Sequence, residues 1–142
     1  MEKEIALDLW DKIYGENCKW HVDCFGTWMY RDDYGDTDKK RSRPNGAGKM
    51  FNYGWEIDHI RPKSDYDNES NANFNNNYEP MHWQNNREKA DCYPQFSIDD
   101  IPYSVVKCEI CGQNGVRGYG IVCMSDNTRV DWKAKMNKYF VN

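Results

Sequence analysis

The sequence predicts an α+β fold. An N-terminal helical lead-in precedes a strand–loop–strand–helix core over residues 51–91, and a β-containing extension follows. Three observations point to it. Apolar residues near the N-terminus recur at helical spacing. Short aromatic and β-branched runs bounded by Pro, Gly and Asn read as strands. Six Trp and ten Tyr supply an aromatic core where an apolar fraction of 39% and a mean hydropathy of -1.03 are low for a compact chain.

Length and charge narrow the function classes. With 142 residues the chain suits one domain, 1–142, divided into a lead-in (1–50), a core (51–91) and an extension (92–142). No flexible linker separates the extension. A net charge of -4 excludes a protein that coats nucleic acid by bulk positive charge. No apolar run approaches the roughly 20 residues that span a bilayer, so no membrane partner is expected. The start, Met1-Glu2-Lys3-Glu4-Ile5, lacks a basic flank and an apolar stretch. A cytoplasmic location with six reduced cysteines is therefore expected.

The elements follow in order. Ile5, Ala6, Leu9, Trp10 and Ile13 share one helix face, and Gly15 is a plausible stop. Residues 20–35 are aromatic and turn-rich and should pack against that helix. Lys39, Lys40, Arg41, Arg43 and Lys49 then place five positive charges in 11 residues without an acid. This reads either as a solvated connection or as a phosphate-contacting loop. Residues 55–60 read as a strand ended by Pro62. Residues 63–76 form a polar loop, and six of the ten residues 68–77 are Asn. A short strand at 77–81 and a helix at 82–90 follow, with Pro94 just beyond. In the extension, 103–110 and 118–122 read as strands joined by a turn at 111–115. Residues 129–140 carry helical spacing.

The core gathers chemistry. Asp58 and Asn86 offer hard oxygen donors, which suit one Mg²⁺ or Mn²⁺ better than zinc. His59 is the natural general base near neutral pH. An amide such as Asn77 can accept the proton of one imidazole nitrogen and leave the other free. Such a set can hydrolyse a phosphodiester.

Two blocks carry a family resemblance. The first is Trp55-Glu56-Ile57-Asp58-His59-Ile60-Arg61-Pro62-Lys63-Ser64. The second is Asn77-Tyr78-Glu79-Pro80-Met81-His82-Trp83-Gln84-Asn85-Asn86-Arg87-Glu88-Lys89-Ala90-Asp91. Together they resemble the HNH endonucleases of the His-Me finger (ββα-metal) superfamily, in particular small stand-alone bacterial and phage proteins. Asp23-Cys24-Phe25-Gly26 and Tyr34-Gly35 are similar to the lead-in of the same families. The resemblance implies a ββα-metal core and hydrolysis of DNA to 5′-phosphate and 3′-hydroxyl ends. It implies Asp58 and Asn86 as metal ligands, His59 as general base and Asn77 as the residue that orients the base. Arg87 and Lys89 match a basic helix end that commonly faces phosphate. The chain departs from the pattern in three places, one being Ala90 where the pattern has Gly before Asp91. Asp65-Tyr66-Asp67-Asn68-Glu69 replaces the usual Gly-Gly, and His59 stands 18 residues before Asn77, a longer interval than usual. Asn73, Asn75 and Asn76 neighbour Asn77; Pro80 and His82-Trp83 set the register.

Other residues have double readings. His82, one helical turn before Asn86, serves either the active site and DNA or helix packing. Glu56 shares a strand face with Asp58 and either supports it or lies exposed. Cys108 and Cys111 have the spacing of half a structural zinc site, which Cys92 and Cys123, or Cys18, His21 and Cys24, could complete. Separately packed thiols are the alternative. The expected nucleic-acid contacts are Lys39, Lys40, Arg41, Arg43, Arg61, Arg87 and Lys89. The expected partner is double-stranded DNA. The acidic balance suggests help from a larger protein or a second copy. The competing function is a nucleic-acid- or protein-binding module that keeps the core without catalysis.

Overall fold

The computed structural model describes residues 1–109 and 117–140, and it is an α+β structure. The chain forms two compact units. One comprises Met1–Ile57 with Pro80–Asn86, and the other Asp58–Glu79 with Arg87–Asn142. This division crosses the expected order of lead-in, core and extension. The chain passes between units inside three elements: strand β5 (Trp55–His59), strand β6 (Tyr78–His82) and helix α2 (Trp83–Lys89). Strands β5 and β6 make a two-stranded sheet.

In the first unit, helix α1 (Lys3–Tyr14) buries Ala6, Leu9, Trp10 and Ile13. They are four of the five residues whose spacing marked the helix; the fifth, Ile5, is exposed. Gly15 ends it at φ 102°, a conformation that favours glycine. Ala6 and Trp10 pack with Met29 and Trp55 as the core of this unit. Trp10 and Trp55 have ring centroids 4.9 Å apart. The aromatic segment after α1 is a hairpin, β1 (Trp20–Val22) against β2 (Trp28–Tyr30), in the register Trp20↔Tyr30. Its turn is closed by Asp23, whose Oδ1 accepts the N–H groups of Phe25 and Thr27. The basic segment, expected as a loop, is largely a second hairpin. Strand β3 (Lys40–Ser42) pairs antiparallel with β4 (Met50–Asn52). Gly54 then leads into β5, where a Cβ would collide with the Asp36 carbonyl.

The second unit holds a four-stranded antiparallel sheet of order β10-β9-β8-β7. Its strands are β7 (Gln95–Ile98), β8 (Ile101–Glu109), β9 (Arg117–Cys123) and β10 (Thr128–Arg129). Two of these were expected. Strand β7 was not, although Phe96 and Ile98 alternate with exposed Gln95 and Ser97. The expected turn at 111–115 lies outside the described residues. The expected final helix is shorter: α3 spans Trp132–Met136 because Asn137 turns left-handed at φ 49°. The Asn-rich segment is three short 3₁₀ turns, Lys63–Asp65, Glu69–Ala72 and Asn75–Asn77, rather than an open loop. Asn76 fixes it to the chain end, since its Nδ2 donates to the Phe140 carbonyl and its Oδ1 accepts the Phe140 N–H.

Candidate functional site

The second unit contains the Asp58-His59 pair at the end of β5. His59 is half-buried, and its Nε2 lies 2.8 Å from Asn73 Oδ1. Tyr78 meets its ring edge-on at 5.2 Å between centroids. An amide oxygen accepts only, so Nε2 carries the proton and Nδ1 carries the lone pair. Desolvation lowers the imidazole pKa, and the positive charges of Lys63 and Lys89 push the same way. The bond to Asn73 pulls the other way, second in size only to desolvation. The ring is therefore neutral at neutral pH, the state a general base needs.

The orienting amide is Asn73 and not Asn77, which corrects the expected role of Asn77. Asn77 is fully buried and clamps the backbone instead. Its Oδ1 accepts the Arg61 N–H at 2.9 Å, and its Nδ2 donates to the carbonyls of Arg61 and Ala72. Its own carbonyl accepts the Ile60 N–H at 2.8 Å. Asn77 thus fixes the chain just after His59, and Asn73 fixes the ring. Asn73 stands at the C-cap of the Glu69–Ala72 turn, inside the segment that lengthens the interval.

Asp58 is 6% exposed and paired with Lys89, whose Nζ lies 3.1 Å from its Oδ2. Lys89 also donates to the carbonyls of His59 and Ile60, at 3.3 and 3.1 Å. Its side chain has no exposed surface, so it does not face phosphate as the resemblance implied. It is an internal counter-charge beneath the end of β5. Burial raises the Asp58 pKa to about 7, against the opposing pull of Lys89. Asp58 Oδ2 meets Lys89 Nζ as an ion pair at 3.1 Å, without the geometry of a hydrogen bond. A carboxylate oxygen is a hard donor of the kind Mg²⁺ or Mn²⁺ takes.

The first unit contains Asn86 and Glu56. The Asn86 Nδ2 donates to Glu56 Oε1 at 3.1 Å, which commits the nitrogen edge and leaves Oδ1 as the donor for a cation. Glu56 therefore orients Asn86, and its expected supporting role falls on that residue. An amide oxygen is a hard donor of the kind Mg²⁺ or Mn²⁺ takes.

His82 has no capacity left for chemistry. It is 3% exposed. Its Nδ1 accepts the Gln84 N–H and its Nε2 lies 3.0 Å from the Asn52 carbonyl. These contacts are the ones its helix-packing reading needs. The residue that organises this corner went unassigned in the sequence. Asp23 Oδ2 accepts the His82 N–H and the Asn85 side-chain amide, while its Oδ1 closes the β1–β2 turn. The similarity of Asp23-Cys24-Phe25-Gly26 to the family lead-in was the only signal for it.

The basic residues divide. Lys39, Lys40, Lys49 and Arg87 are exposed. Arg41 donates to Asp33 Oδ2 at 2.8 Å and lies over Tyr30, and Arg43 lies over Trp28. Arg61 donates to Asp65 and to the Tyr119 hydroxyl and stacks on Tyr66 at 4.1 Å. These three arginines are structural anchors more than open phosphate contacts.

The zinc reading is left with Cys108, which is buried in β8; Cys111 lies outside the described residues. Among the described residues, no three His, Cys, Asp or Glu side chains converge as a metal group. Sequence reasoning also missed a buried charge cluster in the second unit. Glu79 accepts the Trp132 N–H at 3.1 Å through both oxygens. Asp131 holds Arg129 and the Ile121 N–H, with Lys133 Nζ 3.5 Å away. Burial holds the Glu79 carboxyl well above its ordinary pKa. Glu79 and Lys133 occupy strand and helix positions that polarity assigns to the surface.

No protein-family model, no curated protein and no solved structure matches this chain.

Proposed function

We propose that the chain is a metal-dependent HNH-type endonuclease that hydrolyses DNA phosphodiester bonds on a ββα-metal core of β5, β6 and α2. The observation that carries this reading is the setting of His59: half-buried, and held through Nε2 by Asn73 so that Nδ1 is the basic atom. In this reading Nδ1 takes a proton from the attacking water. Asn73 keeps the ring from turning, and Lys89 and Asn77 keep the backbone from the His59 carbonyl to Arg61 in place. In this reading Asp58 and Asn86 are the ligands a single Mg²⁺ or Mn²⁺ would take, and the ion would supply charge neutralisation at the phosphate and the leaving oxygen. Glu56 presents the oxygen edge of Asn86.

Supercoiled plasmid tests the proposal. Relaxed or linear product is expected with Mg²⁺ or Mn²⁺ and none with EDTA. Equal cutting in EDTA, or no cutting with either metal on DNA, overturns it. Tight binding without cutting would move the chain to the binding-module reading.

A further inference from the structure

The hairpin formed by β3 and β4 lies in the first unit and leads directly into β5, with only Tyr53 and Gly54 between. Residues 39–49 carry five positive charges in a chain whose total is -4, so the rest of the chain sums to -9. A polyanion approaching this chain therefore meets attraction mainly here.

The five cations do two different things. Arg41 and Arg43 tie the hairpin down, through Asp33 and the rings of Tyr30 and Trp28. Asn52 adds a clamp, its Nδ2 donating to the carbonyls of Lys39 and Asp36. An isolated two-stranded hairpin is marginal in water, so such anchors are what hold it in one shape. Lys39, Lys40 and Lys49 are exposed and make no side-chain ion pair among the described contacts. The tip is tight: Gly46 N–H bonds to the Arg43 carbonyl and Lys49 N–H to the Gly46 carbonyl.

Two large apolar side chains stand beside the lysines. Met50 and Phe51 are each 55% exposed. Cross-strand partners share a face, so Met50 lies with Ser42, and Phe51 with Arg41. Phe51 meets Tyr53 edge-on at 6.4 Å, yet it and Met50 each keep more than half of their surface open, one on either face of the lysine-flanked ribbon.

We infer that the β3–β4 hairpin is a docking arm for duplex nucleic acid, with Lys39, Lys40 and Lys49 on phosphates and Met50 and Phe51 against groove edges. A two-stranded ribbon fits the roughly 12 Å major groove, and an apolar side chain can meet base edges or sugar there. Two apolar residues among Ser42, Asn45 and Gly46 give too little apolar area for insertion into a lipid surface. The inference deepens the nuclease reading by naming how an acidic chain holds its substrate.

The test reads binding and not cutting, so it stands apart from the nuclease assay. A fluorescein-labelled duplex of mixed sequence is titrated in EDTA between about 50 and 200 mM KCl. Lys39→Gln with Lys40→Gln and Lys49→Gln should lower the log–log salt slope by about 2.7, or 0.9 per lost phosphate contact. Phe51→Ser should weaken binding with the slope unchanged. A triple variant with wild-type affinity and slope overturns the inference. So does a triple variant that loses binding to phosphatidylserine vesicles while binding the duplex normally. Circular dichroism checks that these exposed substitutions leave the fold intact. If the arm binds DNA and the plasmid stays uncut, the docking inference survives and the nuclease reading fails.

Discussion

His59 and His82 stand at the ends of β5 and β6, and the sequence offers both as active-site residues. Their surroundings differ in kind. Both ring nitrogens of His82 are consumed within its own unit, by Gln84 and Asn52, and the ring is buried. His59 has one nitrogen committed, to a side-chain amide, and keeps partial exposure. A histidine with both nitrogens satisfied is a bracket for the backbone. A histidine with one nitrogen held and desolvation lowering its pKa is ready to take a proton.

Substitution should separate the two sharply. His59→Ala should reduce metal-dependent plasmid cutting by roughly 10²- to 10⁴-fold with little change in melting. His82→Ala should leave cutting by the folded fraction near normal and cost about 2–4 kcal/mol in denaturant unfolding, because it orphans the Gln84 N–H and the Asn52 carbonyl. Matching losses of activity in both variants would erase the distinction.

Lys89 sharpens the same contrast from beneath. Lys89→Met should cost about 3–5 kcal/mol, since it leaves the Asp58 carboxylate buried without its counter-charge. An unchanged unfolding midpoint would show that Lys89 is not the internal partner described here.

The smallest expected effects concern Asn73. Asn73→Ala should lower kcat by roughly tenfold, because the ring loses its fixed orientation. At saturating metal, which keeps Asp58 ionised, the acid limb of the pH profile reports protonation of His59, which desolvation places below the ordinary imidazole value of 6.5. Asn73 is the group that raises this pKa, so its removal should move the limb further down. A limb moving upward in the variant would contradict the assignment of Asn73.

What the sequence made legible follows from period and local chemistry. Helix α1 was readable because Ala6, Leu9, Trp10 and Ile13 obey one spacing and Gly15 ends it. The Asp58-His59 strand and the helix after it were readable from their runs and breakers. Contacts distant in sequence were not. Nothing local marks Asn73 over Asn77, since six amides compete within ten residues and only the 3₁₀ turns decide which one reaches the ring. Lys89 looked like a surface cation at a helix end, but its Nζ turns inward to Asp58 and two carbonyls. Asp23 gave no chemical signal, since a buried carboxylate that caps a turn and a helix entry reads locally as an ordinary turn residue.

The state of the His59 ring is the most direct measure of the account. Long-range ¹H–¹⁵N NMR of the imidazoles across a pH titration reads both tautomer and charge. A neutral His59 at pH near 7, protonated on Nε2 and titrating below 6.5, is the expected result. A ring that is charged at that pH, or that carries its proton on Nδ1, would contradict it.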